Sequence, residues 1–161
     1  MKIGVISDTH IPEKATGIPK EIYSAFKGVD LILHAGDLVS LDAIKSLEKI
    51  APLKAVCGNM DTPETKKILK EKEVINAGKF KIGLIHGRGG PSNLINFVKS
   101  AFREKMDVIV FGHSHTPVNE KIEGTLFFNP GSSTDTMFAP YLSYGIIEIN
   151  DEIEAKIVRL P

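Results

Sequence analysis

The chain has little cysteine, no net charge and no long apolar run. Its single cysteine, Cys57, excludes an internal disulfide and suits a reducing compartment, so the cytoplasm is the expected location. Lys and Arg number 20 and Asp and Glu number 20, so the charges cancel. That balance offers no strong basic surface for a nucleic acid or an anionic membrane. No stretch reaches the about 18 consecutive apolar residues that a transmembrane helix needs. Asp8 interrupts the segment where a signal-peptide core would have to lie. The remainder is ordinary for a globular protein: 161 residues, 42% hydrophobic and 25% charged, fit one domain spanning 1–161. A chain of that length buries about 68–70% of its unfolded surface.

The chemistry begins in the first ten residues, MKIGVISDTH. Ile3, Val5 and Ile6 read as a buried strand, and Asp8 and His10 lie just past its carboxyl end, where open α/β sheets place their ligands. The device recurs. Leu31-Ile32-Leu33 precedes His34-Ala35-Gly36-Asp37, and Leu53–Cys57 precedes Gly58-Asn59-Met60-Asp61. Phe80–His86 runs into a Gly-rich loop carrying Arg88, and Asp107–Phe111 precedes Gly112-His113-Ser114-His115.

Helical patterns alternate with these strands. The first has Pro19 in its first turn, Ile22, Ala25 and Phe26 on one face, and Gly28 at its end. The second starts at Ser40 or Asp42 and stops before Pro52. A third has Thr62 as cap followed by Pro63, and in a fourth Ser92 is the expected cap. The mixed charges from Glu64 to Glu73 read as a solvated helix face. A further strand is expected at Glu73–Ile75, turning at Asn76-Ala77-Gly78. The last third predicts mostly antiparallel strands at Val118–Ile122, Leu126–Phe128, Tyr144–Ile149 and Ile153–Leu160, the last two joined at Asn150-Asp151. The class is therefore α/β.

Any one of these strand-end histidines reads first as a hydrogen-bonded structural residue, and a lone Gly-Asp or Gly-Asn as a turn. Seven such residues at the ends of different strands, Asp8, His10, Asp37, Asn59, His86, His113 and His115, read instead as metal ligands. They are too many for one tetrahedral zinc and fit two cations if one carboxylate bridges. Carboxylate, amide and imidazole donors suit manganese first, with nickel, cobalt, iron or zinc as alternatives, over calcium.

The order Asp-x-His, Gly-Asp, Gly-Asn, His, Gly-His-x-His resembles that of the calcineurin-like metallophosphoesterases. LHAGD, GNMD and GHSHTP are most similar to the small bacterial and archaeal phosphodiesterase branch, and the resemblance runs from Ile3 to about Ser132. It implies a four-layer αββα sandwich, two mixed β-sheets flanked by helices. It implies a dinuclear phosphodiesterase that cleaves a small phosphodiester by in-line attack of a metal-bound hydroxide. One metal would take Asp8, His10, Asp37 and His115, and the other Asp37, Asn59, His86 and His113. Asp37 would bridge, and Asp37, Asn59 and His113 would carry the catalysis.

The sequence departs from this pattern at Met60, where many members place a His that acts on the leaving group and is oriented by the next residue, here Asp61. Arg88 is read as a phosphate clamp or as a solvated loop residue, with Asn59 also facing substrate. His34 is read as a partner of a ligand or as a structural hydrogen-bonder. Asn129-Pro130-Gly131-Ser132 reads first as a turn, and Cys57 as core. Two other functions stay open. One is a scaffold like the retromer-associated Vps29, which shares the fold but has lost ligand histidines that this chain keeps; the other is a phosphomonoesterase. Homo-oligomerisation is open as well.

Overall fold

The computed structural model describes residues 1–161. The elements are, in order, β1 (Lys2–Ile6), α1 (Lys20–Ala25), β2 (Leu31–His34), α2 (Asp42–Glu48), β3 (Leu53–Ala55), α3 (Pro63–Ile68), β4 (Lys72–Ala77), β5 (Phe80–Ile85), α4 (Pro91–Ser100), β6 (Val108–Val110), β7 (Val118–Ile122), β8 (Thr125–Asn129), β9 (Ser143–Ile149) and β10 (Ile153–Arg159). They form two five-stranded sheets, ordered β10-β9-β1-β2-β3 and β4-β5-β6-β8-β7. Both sheets are mixed. The centre of each is parallel (β1 to β2 to β3, and β5 to β6 to β8), and the flanking pairs are antiparallel.

The central strands are mostly apolar because both of their faces are covered. Ile3 and Val5 pack with Leu84, Val110 and Phe128 of the other sheet, in the core between the sheets. Ile6 and Ile32 face the opposite way, against Ile22 of α1, Phe26 just past it and Leu47 of α2. Ile109, Phe111 and Phe127 likewise meet Leu94 and Val98 of α4 on the outer face of the second sheet. This is the four-layer αββα sandwich. No helix is long and apolar enough to cross a membrane.

Several local expectations are corrected. β8 pairs with β6 in parallel, so the last third is less antiparallel than its short strands suggest. The α4 cap position is Gly90, with Pro91 opening the helix and Ser92 inside it. Pro91 presets the helical φ and has no N–H to satisfy, so a side-chain cap on Ser92 is not needed. Pro19 sits at the cap of α1 rather than within its first turn. The charged stretch from Glu64 leaves the helix after Ile68 and ends in strand β4. Thr62 does cap α3, accepting the Thr65 N–H at 3.3 Å.

Candidate metal centre

Five loops, each leaving the carboxyl end of β1, β2, β3, β5 or β6, meet at one end of the sandwich and carry the seven expected ligands. The backbone ties them together. The Asp8, His10 and Ile11 N–H groups donate to the Gly36, Asp37 and Leu38 carbonyls respectively, each at 3.0 Å. Gly112 N–H reaches His86 O at 3.0 Å, joining the loops of the second sheet. Between the sheets, the His113 N–H donates to both Asp8 oxygens at 3.1 and 3.2 Å.

The glycines of these motifs are required by close approach. A Cβ on Gly58 would lie 2.1 Å from Asp37 Oδ1, and one on Gly112 would lie 2.0 Å from Ser7 Oγ. The ligand backbones themselves are strained. Of the seven non-glycine residues with positive φ, five are Asp8 (52°), His10 (44°), Asp37 (55°), His113 (70°) and His115 (55°). Each such residue costs about 1–3 kcal/mol, and strain of this kind gathers where a site is held in a working geometry.

The donor atoms converge. Oxygen or nitrogen atoms of Asp8, His10 and His115 lie within 4.8 Å of one another, as do those of Asp8, Asp37 and His86. Asp8 belongs to both groups. The second oxygen of Asp37 lies between them as well, 3.3 Å from His86 Nε2 and 3.8 Å from His10 Nε2. His10 Nε2 and His115 Nε2 face each other at 3.3 Å. Asn59 Oδ1 lies 3.1 Å from His86 Nε2 and 3.0 Å from His113 Nδ1. These nitrogen and oxygen atoms crowd around shared points, which fits a pair of cations.

Outer hydrogen bonds fix which ring nitrogen faces inward. His86 Nδ1 is 2.7 Å from Ala35 O, so it carries the proton and leaves Nε2 toward Asp37. His113 Nε2 is 3.0 Å from Gly89 O, which leaves Nδ1 toward Asn59. His34 is different. Its Nδ1 accepts the Gly36 N–H, so its Nε2–H donates to Thr9 Oγ1 at 3.0 Å, and both nitrogens are used within the fold.

The charges follow. Burial lowers His34, pushing it down to about 3 against smaller opposing effects of Asp8 and Asp37, so it stays neutral. Burial would also lower His86, but the Asp37 hydrogen bond and the Asp8 and Asp37 charges outweigh it and push the ring up to about 9. His115 is raised likewise, with burial opposed first by Asp8. Asp37 resists its burial through the hydrogen bond and charge of His86 and the Met60 N–H, and is held below the usual carboxylate range.

A cavity of about 460 Å³ opens over this cluster, lined by His10, Asp37, Asn59, His113 and His115 together with Lys14, Met60, Asp135 and Phe138. Arg88 is not among its lining residues; it is exposed with its guanidinium stacked on Phe97 at 4.6 Å. Lys14 is the cation at the cavity instead. Asp61 is buried and accepts from the backbone N–H groups of Asp37 (3.1 Å), Val39 (2.6 Å) and Gly58 (2.7 Å). It therefore ties the Asp37 and Asn59 loops together rather than facing the residue-60 side chain. The Asn129–Ser132 turn also does more than turn: Ser132 Oγ donates to Asp8 O at 2.7 Å and Asn129 Nδ2 to Gly112 O at 2.9 Å. Asp135, Lys14 and Phe138 were not expected from the sequence, because none follows a strand and a glycine.

The profile of the calcineurin-like phosphoesterase superfamily domain matches residues 1–152. The chain belongs to this superfamily. Superfamily members use divalent metals, and this one offers two candidate metal groups. Among superfamily relatives, a probable metallophosphoesterase of Methanothermobacter thermautotrophicus is 39% identical over 99% of this chain and 92% of its own length. A phosphodiesterase of Methanocaldococcus jannaschii is 34% identical over 81% of this chain and 83% of its own. The zinc complex of wild-type Vps29 from Entamoeba histolytica superposes with a TM-score of 0.76 at 27% identity, covering 99% of each chain.

Proposed function

We propose that this superfamily member is a dinuclear phosphodiesterase. The observation that carries the reading is the convergence of all seven expected ligands at one end of the sandwich, where five of them line one open cavity and Asp8 and His86 are buried beneath it. One cation would be held by Asp8, His10, Asp37 and His115, and the other by Asp37, Asn59, His86 and His113, with Asp37 between. When bound, such a pair polarises the phosphate oxygens and makes an ionised water available near neutral pH.

The chain's own groups do the rest. Asp37 and Asp8 face the inward nitrogens of His10, His86 and His115 and balance their charge. With its oxygen turned toward His86 and His113, Asn59 has its amide N–H groups free for a non-bridging phosphate oxygen. Lys14 supplies a positive charge at the cavity for the substrate's anionic group. The phosphodiesterase relative supports the diester reading, and a cavity of about 460 Å³ fits a small substrate.

The test is cation content of the purified chain, with turnover of bis(p-nitrophenyl) phosphate and p-nitrophenyl phosphate before and after chelation. Two cations per chain are expected, with diester turnover that chelation removes and manganese restores. Preference for the monoester would make it a phosphomonoesterase. Two bound cations without turnover of either ester would favour a scaffold, since Vps29 itself takes zinc.

Cation uptake is also expected to release protons. His86 holds its proton up to about pH 9 and must give it up to ligate. Binding near neutral pH should therefore expel a proton from His86, and the release should fade as the pH rises past about 9. Binding heats measured in two buffers of different ionisation enthalpy report the number. Heats that do not depend on the buffer would count against His86 as a ligand.

A further inference from the structure

The outer nitrogens of His86 and His113 rest on backbone carbonyls, those of Ala35 and Gly89. His115 differs. Its Nδ1 lies 3.1 Å from Asp135 Oδ2, and neither atom has another polar partner. The two atoms are at ion-pair distance without meeting hydrogen-bond geometry. Asp135 is fully buried. Its other oxygen accepts the Met137 N–H at 2.9 Å and the Phe138 N–H at 3.3 Å, and Lys14 Nζ lies 3.7 Å from it. Those bonds orient the carboxylate so that one oxygen is committed to the loop and the other is aimed at the ring. Phe138 closes over the same ring, edge-on at 6.1 Å.

We propose that Asp135 is a positioning residue for His115. It accepts the Nδ1–H, so the lone pair sits on Nε2, which faces Asp8 Oδ1 at 3.3 Å and His10 Nε2 at 3.3 Å. The inference rests on the reading of His115 as a ligand above, and it assigns to the loop after β8 control of one cation's affinity. A carboxylate behind a ligating imidazole fixes the tautomer and strengthens the donor, and losing such a partner weakens metal binding by about 10–100-fold.

The decisive variant is Asp135→Asn. Its Oδ1 keeps the two backbone N–H bonds, so the loop retains its anchor. Its amide nitrogen then faces His115 and donates to Nδ1, which forces the proton onto Nε2 and blocks ligation. A residue that only braces the loop would tolerate this change.

Cobalt(II) is the probe, titrated into the full chain while its d–d absorption is followed, with melting temperature as the folding control. In Asp135→Asn, one of the two cations should lose about 10–100-fold in affinity with its share of the d–d spectrum, and the other should be unchanged. In the His115→Ala background the same substitution should add nothing, because its effect runs through that ring. Asp135→Asn that binds two cobalt ions with unchanged affinity and spectrum overturns the positioning role and leaves the dinuclear reading standing. An unmodified chain that takes up no cobalt overturns both.

Discussion

Replacing Asp37 with asparagine is expected to leave a folded protein that no longer holds two cations and has lost its turnover. Asp37 is 2% exposed, and its two oxygens have separate tasks. Oδ1 accepts the Met60 N–H at 2.8 Å and so anchors the Asn59 loop. Oδ2 faces His86 and His10 at 3.3 and 3.8 Å, which is where a shared ligand has to stand. Asparagine can keep the first task with its amide oxygen. It cannot keep the second, because an NH₂ group has no lone pair for a cation. Alanine loses both and also strands a backbone donor, at about 1–3 kcal/mol, so asparagine separates chemistry from folding. A catalytic cation supplies several kcal/mol of charge stabilisation, and about 4 kcal/mol is about 10³-fold in rate. A fall of that order or more in diester turnover is expected, with the cation content reduced below two per chain. Asp37→Asn protein with two cations and ordinary turnover would remove Asp37 from the bridging position.

Asp37 was legible in the sequence for a physical reason. Most of the strands feeding the site are buried on both faces as they approach it, so they read as apolar runs, and the turn after each packs against a neighbouring candidate ligand. Gly58 and Gly112 are glycine because Asp37 and Ser7 leave no room for a Cβ. The candidate ligands therefore come with a local signature: apolar run, glycine, polar donor. Asp135 has none. Its meaning arises from His115, twenty residues away in sequence, and from backbone donors at 137 and 138 that exist only once the loop has folded. Asp61 shows the converse. Its neighbour in the chain is Met60, yet its oxygens are taken by three backbone amides from the Asp37 and Gly58 loops. Adjacency pointed at a side chain, and unsatisfied buried N–H groups decided otherwise. The pairing of β8 with β6 is not legible in the sequence because parallel and antiparallel partners leave similar patterns in a five-residue strand.

Aryl diesters are expected to be cleaved far faster than alkyl diesters, with a steep dependence on the leaving group's pKa. An alkoxide leaving phosphorus needs a proton or a cation, and a positioned general acid contributes about 10²–10⁴-fold. The position beside the cluster is Met60, 50% exposed and lining the cavity, whose thioether has no proton to give. His34 cannot replace it: it is wholly buried, neutral down to about pH 3 and engaged with Thr9 and Gly36. His113 has its N–H on Gly89 O. A phenolate tolerates this arrangement because it is already stable as an anion. Met60→His puts an imidazole at the cavity beside the cluster and should narrow the gap between the two ester classes. Asp61 is committed to backbone amides and will orient the new ring weakly, so the gain for alkyl esters is expected at the lower end, about 10²-fold or less. Rates across a series of leaving groups, measured on both proteins with the same cations, give the two slopes to compare. Equal rates for aryl and alkyl diesters in the unmodified chain would mean that a proton donor is present after all. Lys14, at the cavity and 3.7 Å from Asp135, would then be the residue to replace.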